Sequence, residues 1–301
     1  MLPFPALDHV APASLAEALD AYVPGAILVA GGTDLLPSVK HRLFQPRPLV
    51  SLRRVAELHG VTETADGLAL GAGLTLRRVA RLVRDRYPAL ADACETVATP
   101  TIQAMGTLGG NVMLDTRCVY YNQPEGWRAA IGGCLKAEGS VCHVAPKGTG
   151  CYAAHSADTV PVLWLLDARL ELASREGVRQ VAIHDMYRPE GRRWHKALPG
   201  EILTRVLLPR PAAAVVHRKG RTRAAIDYGW LVVAASRDPS GYRAVVSAVG
   251  PEPVEVRGAS PAELAEAAFR AVQPLATHLQ PATWRKKMVR VEVRRAAESL
   301  G

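Results

Sequence analysis

AILVAGGTDLL, residues 26 to 36, and TPTIQAMGTLGGNV, residues 99 to 112, decide how the rest of the chain is to be read. In the first, an apolar run with the length of a buried strand breaks at Gly31-Gly32. It passes into a segment whose Pro37 sits near the first turn of an expected helix. Glycines at a strand-to-helix turn let the backbone bend tightly and bare its N–H groups, and the helix N-terminus beyond them favours negative charge. A phosphate suits such a turn; a plain connection is the ordinary alternative. The second stretch repeats the theme, with Gly106, Gly109 and Gly110 interleaved with Thr101, Thr107 and Asn111, small donors without the bulk that would keep a diphosphate away. Neither stretch is GxGxxG, and no acidic residue follows at the distance that grips a ribose, so a Rossmann fold is disfavoured. Two such loops in one chain point to a dinucleotide more strongly than either alone.

Outward from the first loop, SLAEALDAY (14–22) reads as a short helix with Ser14 as its cap, and RPLVSL (47–52) as a second strand, giving a compact βαβ-like unit over 1–55. GVTETADGLALGAGLTL (60–76) reads as a hairpin turning at Asp66-Gly67. LRRVARLVRD and PALADACETVA read as amphipathic helices, the first with Leu76, Val79, Ala80 and Leu82 on its apolar face. DTVPVLWLLDARLELAS is expected to run from helix into strand and EILTRVLLP (201–209) to form a further strand, so that 56–210 share one α+β core. From 211 to 301, IDYGWLVVAASRD, YRAVVSAVG and PVEVRG are closely spaced strands, and PAELAEAAFRAV and ATWRKKMVRVEVRRAAESL are helices, a separate α+β domain.

With 301 residues and 49% hydrophobic composition the chain can bury two or three cores. Its first residues lack a basic, apolar leader, and no run approaches the roughly 20 apolar residues of a membrane helix, so a cytoplasmic protein without a membrane partner is expected. Net charge is +9, and the excess gathers in HRKGRTR (217–223) and WRKKMVRVEVRR (284–295). That pattern suits an acidic partner, an anionic cofactor or a solvated face. With only 5% aromatic residues, stacking platforms for bases are few, and no nucleic acid is expected.

AGGTDLL, GAGLTL, TIQAMGTLGGNV, SADTVPVLWLLDARLEL and RKGRTRAAIDYGWLVVAAS occur in the order found in the FAD-binding subunits of molybdenum hydroxylases, the group containing xanthine and carbon monoxide dehydrogenases. The chain resembles that family from about residue 5 to its C-terminus. The resemblance implies an α+β, two-subdomain FAD-binding fold of the vanillyl-alcohol-oxidase (PCMH) type, with subdomains 1–55 and 56–210, plus a smaller C-terminal α+β domain, 211–301. It places the first diphosphate loop on Leu28, Val29, Ala30, Gly31, Gly32, Thr33, Asp34 and Leu35, and the second on Thr101 to Asn111. It also implies a flavin-nucleotide contact at Asp158 and, at Lys219, a cation near the isoalloxazine that stabilises negative charge on the reduced ring. Asp115 is read with Asp158 as a cofactor-side carboxylate rather than as an acid–base pair. Gln103-Ala104 depart from the Arg-Asn that the family often carries after Thr-Ile.

Four of the five cysteines, Cys118, Cys134, Cys142 and Cys151, lie in one glycine-rich stretch with 15, 7 and 8 residues between them and no CxxC. An odd count with no sign of secretion disfavours a disulfide framework and points to metal. Spacing alone leaves iron–sulfur and zinc level, since both accept four thiolates. Zinc usually uses a close CxxC pair, and His143 or His155 could substitute as its ligand. DTRC, YNQ, CLK, CHV and CYA in the insertion, residues 115–155, resemble the extra loop of 4-hydroxybenzoyl-CoA reductase β subunits. That resemblance implies a [4Fe–4S] cluster on the four cysteines, with a molybdopterin-binding large subunit and a [2Fe–2S] small subunit as partners, assembled as a dimer of heterotrimers. Ferredoxin would supply low-potential electrons, passed through the [4Fe–4S] cluster and FAD to the [2Fe–2S] clusters and molybdenum, where an aromatic CoA thioester is reductively dehydroxylated. The alternative is the FAD subunit of a xanthine or CO dehydrogenase-like hydroxylase whose loop is braced by structural zinc. Cys94 reads as a small buried hydrophobe, and with no Ser-His-Asp or HExxH arrangement, no catalytic residue is expected on this chain.

Overall fold

Strand β1 (His9–Val10), helix α1 (Leu15–Ala21), strand β2 (Ile27–Val29), helix α2 (Leu35–Lys40) and strand β3 (Leu49–Ser51) open the computed structural model, which describes residues 3–44 and 48–301. The three strands run parallel in the order β1-β3-β2, with Leu49 opposite both His9 and Ile27. Ser14 caps α1, its hydroxyl accepting from the Glu17 N–H at 3.2 Å. Arg47, the first residue of the strand expected over 47–52, lies outside the described residues.

Next come β4 (Val61–Thr64), β5 (Gly67–Gly71), α3 (Leu76–Val83), α4 (Pro88–Glu95), α5 (Pro100–Gln103), α6 (Leu108–Val112), α7 (Glu125–Ala130), α8 (Val160–Leu165), β6 (Arg169–Ser174), β7 (Gly177–Ala182) and β8 (Ile202–Pro209). The strands form an antiparallel sheet ordered β4-β5-β8-β6-β7, covered by α3, α4 and α8 in the largest hydrophobic core. Leu82 does not join the α3 face as expected but stands 46% exposed; Leu76, Val79, Ala80 and Val83 form it instead. Spacings of three and four residues bring 76, 79, 80 and 83 onto one side, and 82 falls off that stripe. The insertion folds around the short helix α7 and otherwise runs without regular structure.

The last strands, β9 (Ala214–Gly220), β10 (Leu231–Asp238), β11 (Gly241–Ser247) and β12 (Val254–Gly258), form an antiparallel sheet ordered β12-β11-β10-β9, followed by α9 (Pro261–Ala271) and α10 (Ala282–Glu298). Alternation with period two gives this sheet two apolar faces. Val233, Ala235, Ala244 and Val246 pack with α9 and α10, while Ala234 and Val245 belong to the core that contains α8. Much of the basic excess is paired within the fold, with main-chain carbonyls or acidic side chains. Arg285 is fully buried, donating through Nε to the Trp230 carbonyl at 2.9 Å, and Arg218, Arg290 and Arg294 pair with Glu292, Glu266 and Glu298. No helix among the described residues is long and apolar enough to cross a membrane.

Candidate functional site

The two glycine loops meet backbone to backbone. A Cβ built on Gly31 would lie 2.0 Å from the Met105 carbonyl oxygen and 2.9 Å from the Gly106 Cα. On Gly109 it would fall 2.7 Å from the Ala72 Cβ, so the GAGLTL turn closes against the second loop from the other side. That contact is stitched by the Leu76 N–H to the Gly106 carbonyl at 2.8 Å, Leu108 to Leu74 at 2.9 Å and Gly109 to Ala72 at 2.8 Å. Three motifs far apart in sequence therefore share a junction lined by main chain, the surface a diphosphate needs.

Within it, Thr107 caps α6 by accepting from the Gly110 N–H at 3.0 Å, and Asn111 Oδ1 accepts from the N–H and hydroxyl of Thr159 at 3.1 and 2.7 Å. Asn111 thereby ties the second loop to the start of α8. Gln103 is buried and its amide donates to the Glu95 and Val97 carbonyls, both at 2.8 Å, so this departure from Arg-Asn braces the end of α4. Thr101 is exposed at the rim.

Asp158 and Lys219 come together across the molecule, from the approach to α8 and from β9. Their charged atoms lie 2.9 Å apart, the side chains only 7% and 2% exposed. Burial pushes the Asp158 carboxyl up, and the Lys219 ammonium opposes that rise. Lys219 also donates to the Thr96 carbonyl at 3.1 Å. Asp158 Oδ1 meets its partner at ion-pair distance but without hydrogen-bond alignment, and Ser156 Oγ, His155 Nε2 and His217 Nε2 are buried with no partner among the described residues. Orphaned polar atoms gathered in segments 155–158 and 217–219 suit a polar guest. Burial pushes the imidazoles of His155 and His217 down to about 3 and about 4, so both are neutral.

The cysteine insertion is pinned by two buried cations. Arg128, 1% exposed, pairs with Glu138 and donates to the carbonyls of Gln123, His41 and Arg42 at 2.6, 2.9 and 3.0 Å, binding α7 to the end of α2. Lys136 reaches Asp115 at 2.6 Å and the carbonyls of Thr116 and Gly191 at 3.0 Å, with the Tyr121 ring 4.5 Å away. Asp115 is thus engaged by the insertion itself, through Lys136 and the Tyr121 hydroxyl.

All four thiols of the insertion are unbridged; Cys134, Cys142 and Cys151 are buried and Cys118 partly so. Burial raises the Cys118 thiol, Cys134 and Cys142 add to the rise, and the N–H groups of Tyr120 and Tyr121 oppose it. Cys151 is pushed up to about 11 by burial, opposed by the Ala153 N–H, which donates to its Sγ at 3.4 Å, with Cys142 adding to the rise. Cys118 therefore lies within charge range of Cys134 and Cys142, and Cys151 within that of Cys142. The thiols do not form a closed chelate: among the described residues no three His, Cys, Asp or Glu side chains are grouped to hold a metal ion. His143 meets the Gly133 carbonyl at 2.6 Å and stacks on Tyr120, while His155 meets Ser247 at 3.3 Å under Tyr187. Both rings are engaged elsewhere than as substitute zinc ligands. Cys94 is fully buried on α4 beside Leu90, as expected of a small hydrophobe.

Two residues that sequence reasoning passed over join this region. Arg117, next to Cys118, forms an ion pair with Asp34 of the first loop, and the Tyr228 hydroxyl donates to the same carboxylate at 3.0 Å. The only sequence signal was a lone arginine before a cysteine, indistinguishable from a solvated charge.

Residues 5–211 match the family described as the FAD binding domain in molybdopterin dehydrogenase. The aldehyde oxidoreductase FAD-binding subunit PaoB of Escherichia coli K12 is 32% identical over 82% of this chain and 81% of its own length. The carbon monoxide dehydrogenase medium chain of Afipia carboxidovorans is 27% identical over 81% of this chain and 73% of its own. Among solved structures, quinoline 2-oxidoreductase from Pseudomonas putida 86 superposes with a TM-score of 0.79 and 25% identity, covering 99% of this chain and 98% of that one.

Proposed function

Because the chain belongs to the family of FAD-binding domains of molybdopterin dehydrogenases, we propose that it is the flavin-carrying electron-transfer subunit of a molybdenum hydroxylase-type oxidoreductase, with the substrate site on a partner subunit. The observation that carries this reading is the meeting of the two glycine loops at Gly31 and Met105-Gly106. The diphosphate sits between Leu28–Leu35 and Thr101–Asn111, within FAD subdomains 1–55 and 56–210, and the nucleotide extends past Asp158. FAD, when bound, supplies reversible exchange of electrons between donors and acceptors that differ in how many they take. The chain's part is to hold and tune it. Lys219, fixed by Asp158 and the Thr96 carbonyl, keeps a buried positive charge beside the ring without a mobile side chain. The C-terminal domain, 211–301, brings that lysine in on β9.

The partners are a molybdopterin-binding large subunit and a [2Fe–2S] small subunit. As to the reaction, the names of the relatives, an aldehyde oxidoreductase and a carbon monoxide dehydrogenase, favour a hydroxylase of that kind. The reductive alternative, ferredoxin-fed dehydroxylation of an aromatic CoA thioester, rests on the insertion alone. What supports a [4Fe–4S] cluster there is the donor set: four unbridged thiols, of which Cys118 feels the charge of Cys134 and Cys142 and Cys151 that of Cys142, with N–H groups directed at Cys118 and Cys151. A cubane holds its thiolates farther apart than a single ion does, so it asks less closure of this loop than zinc.

Anaerobic purification of the full chain, with flavin extraction and analysis of iron, acid-labile sulfide and zinc, tests both levels. Expected are FAD and, for the cubane, equal amounts of iron and sulfide lost on Cys134→Ser while FAD remains. Zinc without iron would leave the hydroxylase reading and remove the reductive one; a chain that takes up no FAD would remove both.

A further inference from the structure

We propose that Arg117 is a positioning residue for the flavin diphosphate: from the neck of the cysteine insertion it neutralises Asp34 in the first glycine loop, and so couples flavin affinity to the order of that insertion. The inference rests on the reading above that the glycine loops hold FAD. Asp34 occupies the N-cap position of α2, yet its side chain makes no cap hydrogen bond to that helix. The carboxylate is taken instead by the Arg117 guanidinium and the Tyr228 hydroxyl. The guanidinium carbon lies 3.6 Å from the centre of the Tyr228 ring, so anion, cation and ring form one stack drawn from three distant segments.

Electrostatics gives the stack a purpose beyond packing. Asp34 follows Gly32-Thr33 directly, and Thr33 Oγ1 stands 3.3 Å from where a Gly106 Cβ would be, so the carboxylate belongs to the same loop junction. A free carboxylate there opposes the charge of a diphosphate. With Asp34 and Arg117 side chains only 28% and 18% exposed, water screens that repulsion in part, and a salt partner is needed. The Arg117 Nε–H is buried with no partner among the described residues, a donor left over for an anion. The main chain of Arg117 is fixed at the neck, its N–H donating to the Ala154 carbonyl at 2.8 Å and its carbonyl accepting from Ala154 at 2.7 Å. Cys118 follows immediately. Whatever orders or disorders the insertion therefore acts on the guanidinium, and by linkage flavin binding acts back on Cys118.

The test is a fluorescence titration of the full chain with FAD, paired with iodoacetamide alkylation of Cys118 in the metal-free chain, read by peptide mass spectrometry. Arg117→Ala is expected to weaken FAD binding on the order of tenfold. Adding Asp34→Asn to Arg117→Ala should restore most of the affinity, because the uncompensated charge is gone. FAD should slow Cys118 alkylation in the parent chain and not in Arg117→Ala. Unchanged affinity in Arg117→Ala overturns the proposal, as does a double variant no better than the single one, since Arg117 would then act through folding alone. A parent chain that binds no FAD overturns instead the reading of the glycine loops.

Discussion

Gly31 shows how far one missing side chain carries the site. Its Cα can approach the Met105-Gly106 peptide only because nothing projects from it; a methyl group would sit 2.0 Å from the Met105 carbonyl oxygen, in a turn whose Met105 and Gly106 N–H groups donate to the Ile102 carbonyl at 3.0 and 2.7 Å. Gly31→Ala is therefore expected to force the loops apart, abolish flavin retention and cost about 1–3 kcal/mol of stability. Flavin content after gel filtration and a urea unfolding curve check it, and full flavin occupancy would contradict the contact. At this scale the glycine loops were legible in sequence, because glycines among small hydroxyls are a local chemical pattern. The Asp158–Lys219 pair was legible only as two expected flavin neighbours, and their contact was not: it joins residues 61 positions apart through the packing of β9 on α4 and α8. Arg117 showed only as a lone arginine before a cysteine, and nothing local pointed to its contact with Asp34 and Tyr228.

The elements sort by whether their own residues determine them. α1, α3, α9 and α10 announce themselves by apolar spacing and, in the first, second and third, by a Ser or Thr cap. β7 was missed because it is an edge strand with no buried face, and β9 because its residues read as a basic run; hydrogen bonding to β6 and β10 makes them strands. The insertion lies at the other extreme. It has little regular structure, and Arg128 and Lys136 hold it by donating to carbonyls of segments elsewhere in the chain. Removing the Arg128 guanidinium strands the His41 and Arg42 carbonyls at the end of α2 and the Gln123 carbonyl within the insertion, and frees Glu138, at about 1–3 kcal/mol confined to that region. Arg128→Ala is thus expected to speed proteolysis and thiol alkylation within 115–155 while the main unfolding transition moves little. A single transition lowered without selective loosening would show that the insertion unfolds only with the whole.

At the scale of the whole molecule, the sheet of β9 to β12 is buried on both faces, by α9 and α10 on one side and by the core around α8 on the other. Residues from 211 onward therefore complete the core of the preceding residues. Two neutral histidines lie in that joint: His155 against Ser247 of β11, and His217 on β9. Their imidazoles titrate at about 3 and about 4 in the fold, against 6.5 when unfolded. Above about pH 6.5 both states are neutral and stability does not change on their account. As pH falls below that value the unfolded chain takes protons the fold refuses, so stability is lost progressively toward pH 4, by up to about 2 kcal/mol for each at pH 5. Urea midpoints measured at pH 7 and pH 5 should show the fall, and His217→Gln should remove part of the slope; a flat profile would mean that water reaches these rings.

By itself the sequence determined the two glycine loops, the order of the motifs, the apolar faces of the long helices and the gathering of four thiols in one insertion, since each is written in neighbouring residues. The tertiary structure alone decided that Gly31 meets Gly106, that Asp158 is neutralised by Lys219 and Asp34 by Arg117, and that the basic C-terminal run is largely spent on Glu266, Glu292 and buried carbonyls. The physical reason is that charge and backbone complementarity are satisfied by proximity in space. A buried ion takes whatever partner the packing of sheets and helices brings within reach, and no local pattern records which one that will be.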